Sequence, residues 1–381
     1  MPGSPDVWHF RRSADHPAVR IVHVVARLND GGPARIIAAL AHAHRAAGHE
    51  VHVLAGACAA DERDVGNELL PGLVEQLTGL GRRVSPFDDL RALNDLVKQL
   101  RELAPDVVHT HTAKAGVLGR LACRHLGLPC LHTYHGHVLH GYWPRAIHTA
   151  LAVAERACAG NAWHHALTPT QTIELRDHHH IGRPQRWICL PPPVPAVTPI
   201  HAAWHDQLPQ DRKRVLWLGR FAPVKDPTLW LDTVAALNRL IPVHALMCGD
   251  GALRPAAEAR ARELGLSATW TGYVPAGEAL GAADLLLLSS RNEGLPLSAV
   301  EAAGAGISVV SPLVGGLFDA ARWGLVRGAD RNPLALATAA AVTLTAPRPA
   351  PHLLARALAG PRIAARYLAI YRRCASTPFS S

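Results

Sequence analysis

Apolar positions along this chain follow two alternating rhythms. Residues 19–26 (VRIVHVVA) form a near-continuous apolar run, the pattern of a parallel strand buried on both faces. A glycine turn, 27–33 (RLNDGGP), comes next. Residues 34–47 then read as a helix up to Gly48, a residue suited to end one. Residues 49–56 read as another strand, so the chain opens with a strand–helix–strand unit. Apolar residues at 90, 93, 96/97, 100 and 103/104 predict an amphipathic helix over 90–104, closed by Pro105. Strands over 106–110, 129–134 and 165–168 alternate with helices over 114–126 and 145–159. This alternation is that of a doubly wound α/β sheet.

Residues 190–199 (LPPPVPAVTP) hold five prolines in ten, which predicts a stiff, extended linker. The alternation then restarts, with strands over 215–218, 244–248, 284–289 and 308–311. Helices are predicted over 227–240, 254–264, 296–305, 334–344 and 361–374. The expected architecture is α/β, with two Rossmann-like doubly wound domains facing a central cleft. The expected boundaries are 1–190, a linker at 191–200, 201–360, and a C-terminal helix at 361–381 crossing back to the first domain. Open sheets of this kind bind ligands outside the carboxyl ends of their strands.

Composition narrows the function classes. A 381-residue chain with 49% hydrophobic and 18% charged residues has apolar content for sizeable cores and is not a disordered chain. The net charge of +9 points at first to nucleic acid. However, residues 1–330 carry 32 basic against 30 acidic side chains, and residues 331–381 carry seven Arg and no acid. With a nearly neutral body and 5% aromatics, a nucleic-acid partner is excluded. In the last helix Ile363, Tyr367, Ile370 and Cys374 share one side and Arg362, Arg366 and Arg373 another. That pattern suits docking on the first domain, or a weak peripheral contact with an anionic membrane surface. The seven cysteines form no CxxC pair, which fits a reducing compartment. The opening residues show no apolar signal core, and no apolar run reaches membrane-spanning length, so the expected location is cytoplasmic. Arg outnumbers Lys 35 to 4, a bias typical of very GC-rich genomes, which makes secondary metabolism, including antibiotic biosynthesis, one setting for the chain.

Four elements carry candidate chemistry. Glu293 and Glu301, eight residues apart, follow an apolar strand and flank a helix start at Pro296. An acid at the strand end can hold sugar hydroxyls, and a second one further on can accept both hydroxyls of a ribose. The free backbone N–H groups of this turn, at Gly294 and Leu295, suit an anion. The segment 219–225 (GRFAPVK) places Arg220 and Lys225 in one short loop after a strand, where two cations can neutralise a diphosphate. Gly31 and Gly32 leave room for a phosphate to approach the backbone. GxGxxG and GxxxxGK[ST] are absent, so neither a dinucleotide fingerprint nor a P-loop is supported. The last element is histidine-rich: His109, His111 and Lys114, then His132, Tyr134, His135 and His137. His135 can offer a hydrogen bond, or its carbonyl, to a substrate hydroxyl. His111 and Lys114 are candidates for contact with an acceptor, an anionic one in the case of Lys114. Alternate strand histidines share a face, but no HExxH or Cys partner completes a metal site, and none is expected.

Taken together, these motifs resemble the retaining family 4 glycosyltransferases of GT-B fold, from Val19 to about Arg373. The glycine turn, GRFAPVKD, CGDGALR, TGYV and NEGLPLSAVEAAGAGISVV stand in the family's order. The resemblance implies that Gly31 and Gly32 approach the diphosphate of a nucleotide-sugar donor, which is a substrate and not a cofactor. It implies that His135 touches the transferred sugar and that Arg220 and Lys225 stabilise the departing diphosphate. Glu293 would bind sugar hydroxyls, Glu301 the ribose, and the backbone at Tyr273 and Val274 the base. It further implies metal-independent transfer with retention to a hydroxyl acceptor. That acceptor is either a lipid-linked or polymeric glycan or a small aglycone such as an aminoglycoside cyclitol. Two departures stand out: Pro191-Pro-Pro-Val194 at the domain junction, and the loop after Gly315-Gly316. A nucleotide-sugar epimerase of the same fold is the alternative, although it has no need of the Arg220, Lys225, Glu293 and Glu301 set.

Overall fold

The computed structural model describes residues 17–376 apart from 61, 82–84, 137–138, 140–144, 161 and 360. Among these residues the strands form two sheets. The first comprises β1 (Arg20–Val25), β2 (Glu50–Ala55), β3 (Val74–Gln76), β4 (Val107–His111), β5 (Cys130–Tyr134), β6 (Trp163–Ala166) and β7 (Trp187–Cys189), in the order β3-β2-β1-β4-β5-β6-β7. The second comprises β8 (Lys213–Leu218), β9 (Val243–Cys248), β10 (Ala268–Gly272), β11 (Leu285–Leu287), β12 (Ser308–Pro312) and β13 (Arg327–Ala329), in the order β10-β9-β8-β11-β12-β13. Neighbouring strands pair in parallel, as in β1 with β4 and β8 with β11. Each sheet runs outward from its first strand and then crosses to the other side. That reversal opens a crevice at the carboxyl ends of β1 and β4 and of β8 and β11, the position where such folds hold ligands.

The longer helices are α1 (Gly32–Ala46), α2 (Pro86–Leu103), α3 (Ala113–Leu126), α4 (Arg145–Ala159), α5 (Pro227–Asn238), α6 (Arg254–Glu263), α7 (Leu297–Gly304), α8 (Pro333–Thr345) and α9 (Pro361–Ser376). Most lie within a few residues of the predicted spans. α2 begins earlier than predicted because Ser85 caps it, its hydroxyl accepting from the Asp88 N–H at 3.4 Å, with Pro86 at the first position. Strands β3, β7, β10 and β13 have no counterpart in the sequence reading. They are three to five residues long and only partly buried, so no continuous apolar run marks them. β6 starts two residues before its predicted span, at Trp163; the next residue, His164, is fully buried, and histidine reads as polar in any hydropathy pattern.

One apolar cluster runs from β1 and α1 through Leu190 and Val194 of the proline-rich segment to α7 and α9. α9 lies on α1, β4 and β5. It buries Ile363, Tyr367, Tyr371 and Cys374 and leaves Arg362 and Arg366 exposed. The His44 ring is 2.9 Å from the Ala364 carbonyl, and His109 Nδ1 is 2.7 Å from the Tyr371 hydroxyl. Arg373 stacks over the Trp163 ring at 4.7 Å, a cation–π contact. No helix among the described residues is long and apolar enough to cross a membrane.

Candidate functional site

The apolar β1 ends in Arg27-Leu-Asn-Asp-Gly31-Gly32, and this turn faces the second sheet. A Cβ built on Gly32 would touch the Leu297 side chain at 3.7 Å, so the glycine turn lies against the first residue of α7. Further along α1, Arg35 sits 3.2 Å from Asp30 and 3.8 Å from the Glu301 carboxylate. The Glu301 side chain is only 4% exposed. Burial pushes its carboxyl above the ordinary carboxylate range, with Arg35 acting in the opposite direction. A buried acid with a single arginine at the edge of contact distance suits a hydroxyl donor such as a ribose diol, since a buried carboxylate needs hydrogen-bond partners.

The cationic loop follows β8. Gly249 leaves space for this loop: a Cβ there would lie 2.1 Å from the Gly219 carbonyl. Arg220 reaches Glu62, a residue of the first sheet's loops, at 3.6 Å. Lys225 pairs with Glu293 at 2.5 Å, and Ser290 donates its hydroxyl to the same carboxylate at 2.6 Å. The next residue, Asp226, has φ 51° and ψ 67°, a left-handed conformation that costs a non-glycine residue energy. It is held there by ion pairs with Arg331 and with Arg291 at 3.2 Å, and by its cap on Leu229 N–H. The Ser289 hydroxyl donates to the carbonyls of Lys225 and Asp226 at 2.7 and 3.0 Å. The loop after β8 is therefore stitched to the loop after β11, and Lys225 is fixed against Glu293.

Backbone contacts close the seam between the sheets. A Cβ on Gly294 would lie 2.1 Å from the His135 carbonyl, and one on Gly316 only 1.4 Å from the Gly294 carbonyl. The Gly316 N–H donates to the Glu293 carbonyl at 2.9 Å, and the Thr170 N–H to Asp319 at 2.8 Å. His135, Glu293, Gly294 and the Gly315-Gly316 pair thus meet at one place. Gly294→Ala is expected to destabilise the fold by about 1–3 kcal/mol through overpacking, read as a lower Tm, and to reduce activity by parting His135 from the Glu293 loop. An unchanged Tm would reject this contact.

Gly31, Gly32, His135, Arg220, Lys225, Glu293, Gly294, Leu295 and Glu301 all line or border the facing strand ends. Tyr273 joins them, with Arg63 of the first sheet's loops 5.8 Å above its ring; Val274 is partly buried beside it. The structure places His111 elsewhere than expected. It is 0% exposed, with Nε2 3.0 Å from His23 Nδ1 and Nδ1 2.8 Å from His135 Nε2, so it offers no surface to an acceptor and reaches the cleft only through His135. Lys114 pairs with Asp89 at 2.5 Å and donates to the Gly79 carbonyl at 3.1 Å. His137 lies outside the described residues, and His178 and His180 are exposed.

Sequence reasoning missed Glu62, Arg27 and Arg35. Glu62 takes Arg27 at 2.6 Å, Asn29 at 2.9 Å and the Ala59 N–H at 3.3 Å. Burial alone would raise its carboxyl, but the hydrogen bonds from Arg27, Ala59 and Asn29 hold it below the ordinary carboxylate range. Arg27 and Arg35 stand four residues either side of Gly31, a spacing that could have drawn attention to them. Glu62 sits in a loop without periodicity and carries no such signal. Among the described residues His23, His109 and His111 bring ring nitrogens within 4.8 Å of one another. Both nitrogens of His109 and of His111 are engaged in hydrogen bonds, so a metal ion there would have to break that network.

Residues 30–196 match the family described as Glycosyltransferase Family 4, and residues 212–345 match Glycosyl transferases group 1. An Escherichia coli UDP-Gal:alpha-D-GlcNAc-diphosphoundecaprenol alpha-1,3-galactosyltransferase is 26% identical over 257 residues, covering 62% of this chain and 65% of that protein. A D-inositol 3-phosphate glycosyltransferase of Streptosporangium roseum is 32% identical over 257 residues, covering 59% and 58%. In both cases the match spans less than two thirds of the relative's length. Among solved structures, a sucrose-phosphate synthase from Thermosynechococcus elongatus superposes with a TM-score of 0.74 at 22% identity, covering 93% of this chain and 98% of the other. The Anabaena protein HepE in complex with UDP and glucose superposes with a TM-score of 0.71 at 16% identity, covering 93% and 99%. At these identities the structural likeness establishes the two-sheet fold.

Proposed function

This chain belongs to the family 4, group 1 glycosyltransferases and has their GT-B fold, and from that membership we propose that it moves a sugar from a nucleotide-sugar donor to a hydroxyl acceptor with retention and without a metal. The observation that carries the reading is the convergence of Arg220, Lys225, Glu293 and Glu301 opposite the Gly31-Gly32 turn. In this proposal residues 201–360 hold the donor, residues 1–190 receive the acceptor, and 191–200 link them. Glu301 takes the ribose hydroxyls, and the backbone at Tyr273 and Val274 meets the base. The N–H groups of Gly294 and Leu295 and the open backbone at Gly31 and Gly32 face the diphosphate. Glu293 binds hydroxyls of the sugar.

Arg220 and Lys225 exchange their carboxylate partners for phosphate oxygens as the glycosidic phosphate bond breaks. Preorganised positive charge aimed at the oxygen that gains negative charge lowers the barrier, which is the service a divalent cation gives elsewhere. The departing phosphate oxygen accepts the acceptor's proton while the acceptor oxygen bonds to the anomeric carbon on the same face. No separate general base is then required. The relatives that match are transferases, which favours transfer over epimerisation.

The test is a screen of UDP-, GDP- and dTDP-sugars for thermal stabilisation, since a ligand that binds the native state raises Tm. It is followed by assay of nucleoside diphosphate release with lipid-linked and small soluble acceptors. The named relatives act on a diphosphoundecaprenol-linked sugar and on inositol 3-phosphate, so both acceptor classes belong in the screen. Glu301→Ala is expected to raise the donor KM by about tenfold or more, the worth of a hydrogen bond to a charged group, with kcat little changed. An unaltered donor KM rejects the ribose assignment. Failure of every nucleotide sugar to stabilise the protein or to turn over rejects the reading as a whole.

A further inference from the structure

Three imidazoles run in a line from the middle of the first sheet to the cleft. His23 Nδ1 lies 3.0 Å from His111 Nε2, and His111 Nδ1 lies 2.8 Å from His135 Nε2. His23 and His111 are 0% exposed. The two outer nitrogens, His23 Nε2 and His135 Nδ1, have no hydrogen-bond partner among the described residues. Burial holds His23 and His135 at about 3 and His111 well below its ordinary value, so all three rings are neutral at physiological pH.

A neutral imidazole carries one proton on one of its two nitrogens. In a line of three joined by two hydrogen bonds, each ring must donate in the same sense. Either all three are protonated on Nδ1 or all three on Nε2. The Nε2 arrangement ends in a bare N–H at His23, inside the sheet, where no ligand can reach it. The Nδ1 arrangement ends there in a bare lone pair instead, and an orphaned buried acceptor is less rare than an orphaned buried donor. Its unpaired donor falls at His135, the half-buried member of the three, which lines a small cavity and stands at the seam with Gly294. Nδ1 itself is covered here, so a ligand oxygen meets it once neighbouring side chains at the seam move aside.

A neighbouring chain shows an end group setting direction in this way. The Leu190 carbonyl can only accept, so His165 donates to it from Nε2 at 2.8 Å and accepts the Thr133 hydroxyl proton at Nδ1, at 2.7 Å. Thr133 then accepts from His109 Nε2–H at 2.6 Å, and His109 Nδ1 accepts from the Tyr371 hydroxyl at 2.7 Å. In both chains the bond at one ring nitrogen decides what the other presents.

We infer that His23 and His111 are positioning residues that hold His135 in the tautomer protonated on Nδ1, so that His135 meets its ligand as an N–H donor. The identity of that ligand, an oxygen of the donor sugar, rests on the function proposed above; the tautomer does not.

The experiment is ¹H–¹⁵N correlation NMR of the histidine rings in the full-length chain, with His135→Gln identifying the His135 signal. The expected result is His135 protonated on Nδ1 with a bare Nε2. His23→Leu and His111→Leu release the line, and His135 shifts toward the Nε2-protonated form. Asparagine at either position restores an amide near the place of Nδ1 that can donate to the next ring, so part of the Nδ1-protonated population returns relative to leucine. With an active donor, His111→Leu lowers kcat/KM by about tenfold, the worth of one hydrogen bond, and His111→Asn recovers most of it. His135 protonated on Nε2 in the wild type overturns the inference and needs no variant to fold beyond the one used for assignment. An unchanged tautomer in both leucine variants overturns the positioning role. A chain that shows the Nδ1 form but transfers no sugar refutes the proposed function and leaves the inference standing.

Discussion

Replacing Arg220 by alanine is expected to lower kcat by about 10²-fold or more, the loss that follows removal of one preorganised charge stabiliser. Lys225→Ala should do the same. The two variants differ in what they leave behind. Glu62, the partner of Arg220, keeps Arg27 at 2.6 Å and Asn29 at 2.9 Å, so Arg220→Ala strands no charge and Tm should move little. Glu293 keeps only the Ser290 hydroxyl at 2.6 Å among its side-chain partners shown above. Lys225→Ala therefore leaves a mostly buried carboxylate short of a cation, and a fall in Tm should accompany the fall in kcat, since breaking one side of a buried pair is destabilising. Steady-state kinetics with the donor found in the screen, beside thermal melts, separates the two effects. Near-normal kcat in both variants would sink the assignment of these cations to the leaving group.

The second large effect is acid unfolding above the range where carboxylates titrate. Burial lowers His23 and His135 to about 3, His164 to about 3, and His44 and His165 to about 4. His109, His111 and His132 lie well below their ordinary value for the same reason. In the unfolded chain each returns to about 6.5. Between that value and the folded one the unfolded state binds more protons, so stability falls as pH falls. Each such histidine contributes up to about 1.4 kcal/mol per pH unit. Several together exceed a net stability of about 5–15 kcal/mol within one or two units below 6.5. The protein should keep its full Tm above about pH 7 and be unfolded near pH 5. Circular dichroism melts across that range check this, and a Tm that stays level from pH 7.5 to 5 defeats it.

Much of the fold was legible in the chain. β1 and β9 are buried on both faces and read as near-continuous apolar runs, whereas the equally buried β4 and β5 carry histidine and threonine and were placed by their position between helices. The glycine, proline and serine punctuation marked the turns between them. Edge strands such as β3 and β13 were not legible, because a short, half-exposed strand needs no apolar run. The loops bearing Arg220, Lys225 and Glu293, and the helix bearing Glu301 that follows the last of them, stood out because each comes after a buried strand, and strand ends are where backbone N–H groups and side chains meet a ligand. Glu62 was invisible. Its bond to Arg27 joins residues 35 apart through a loop with no period, and its contact with Arg220 joins the two sheets.

The histidines show where the division falls. The alternation in His109-Thr110-His111 determined by itself that both imidazoles point to one face of β4, and their ring centroids lie 4.0 Å apart. Local sequence has no means of saying what covers that face. α9, some 250 residues later, lays Tyr367 and Tyr371 over it. The rings are thereby sealed from water and kept neutral, His109 bonded to Tyr371 and Thr133 and His111 to His23 and His135. The strand period is a local property of the backbone. Solvent access, and with it charge state and proton direction, depends on which distant segment packs above, and only the tertiary structure decided that.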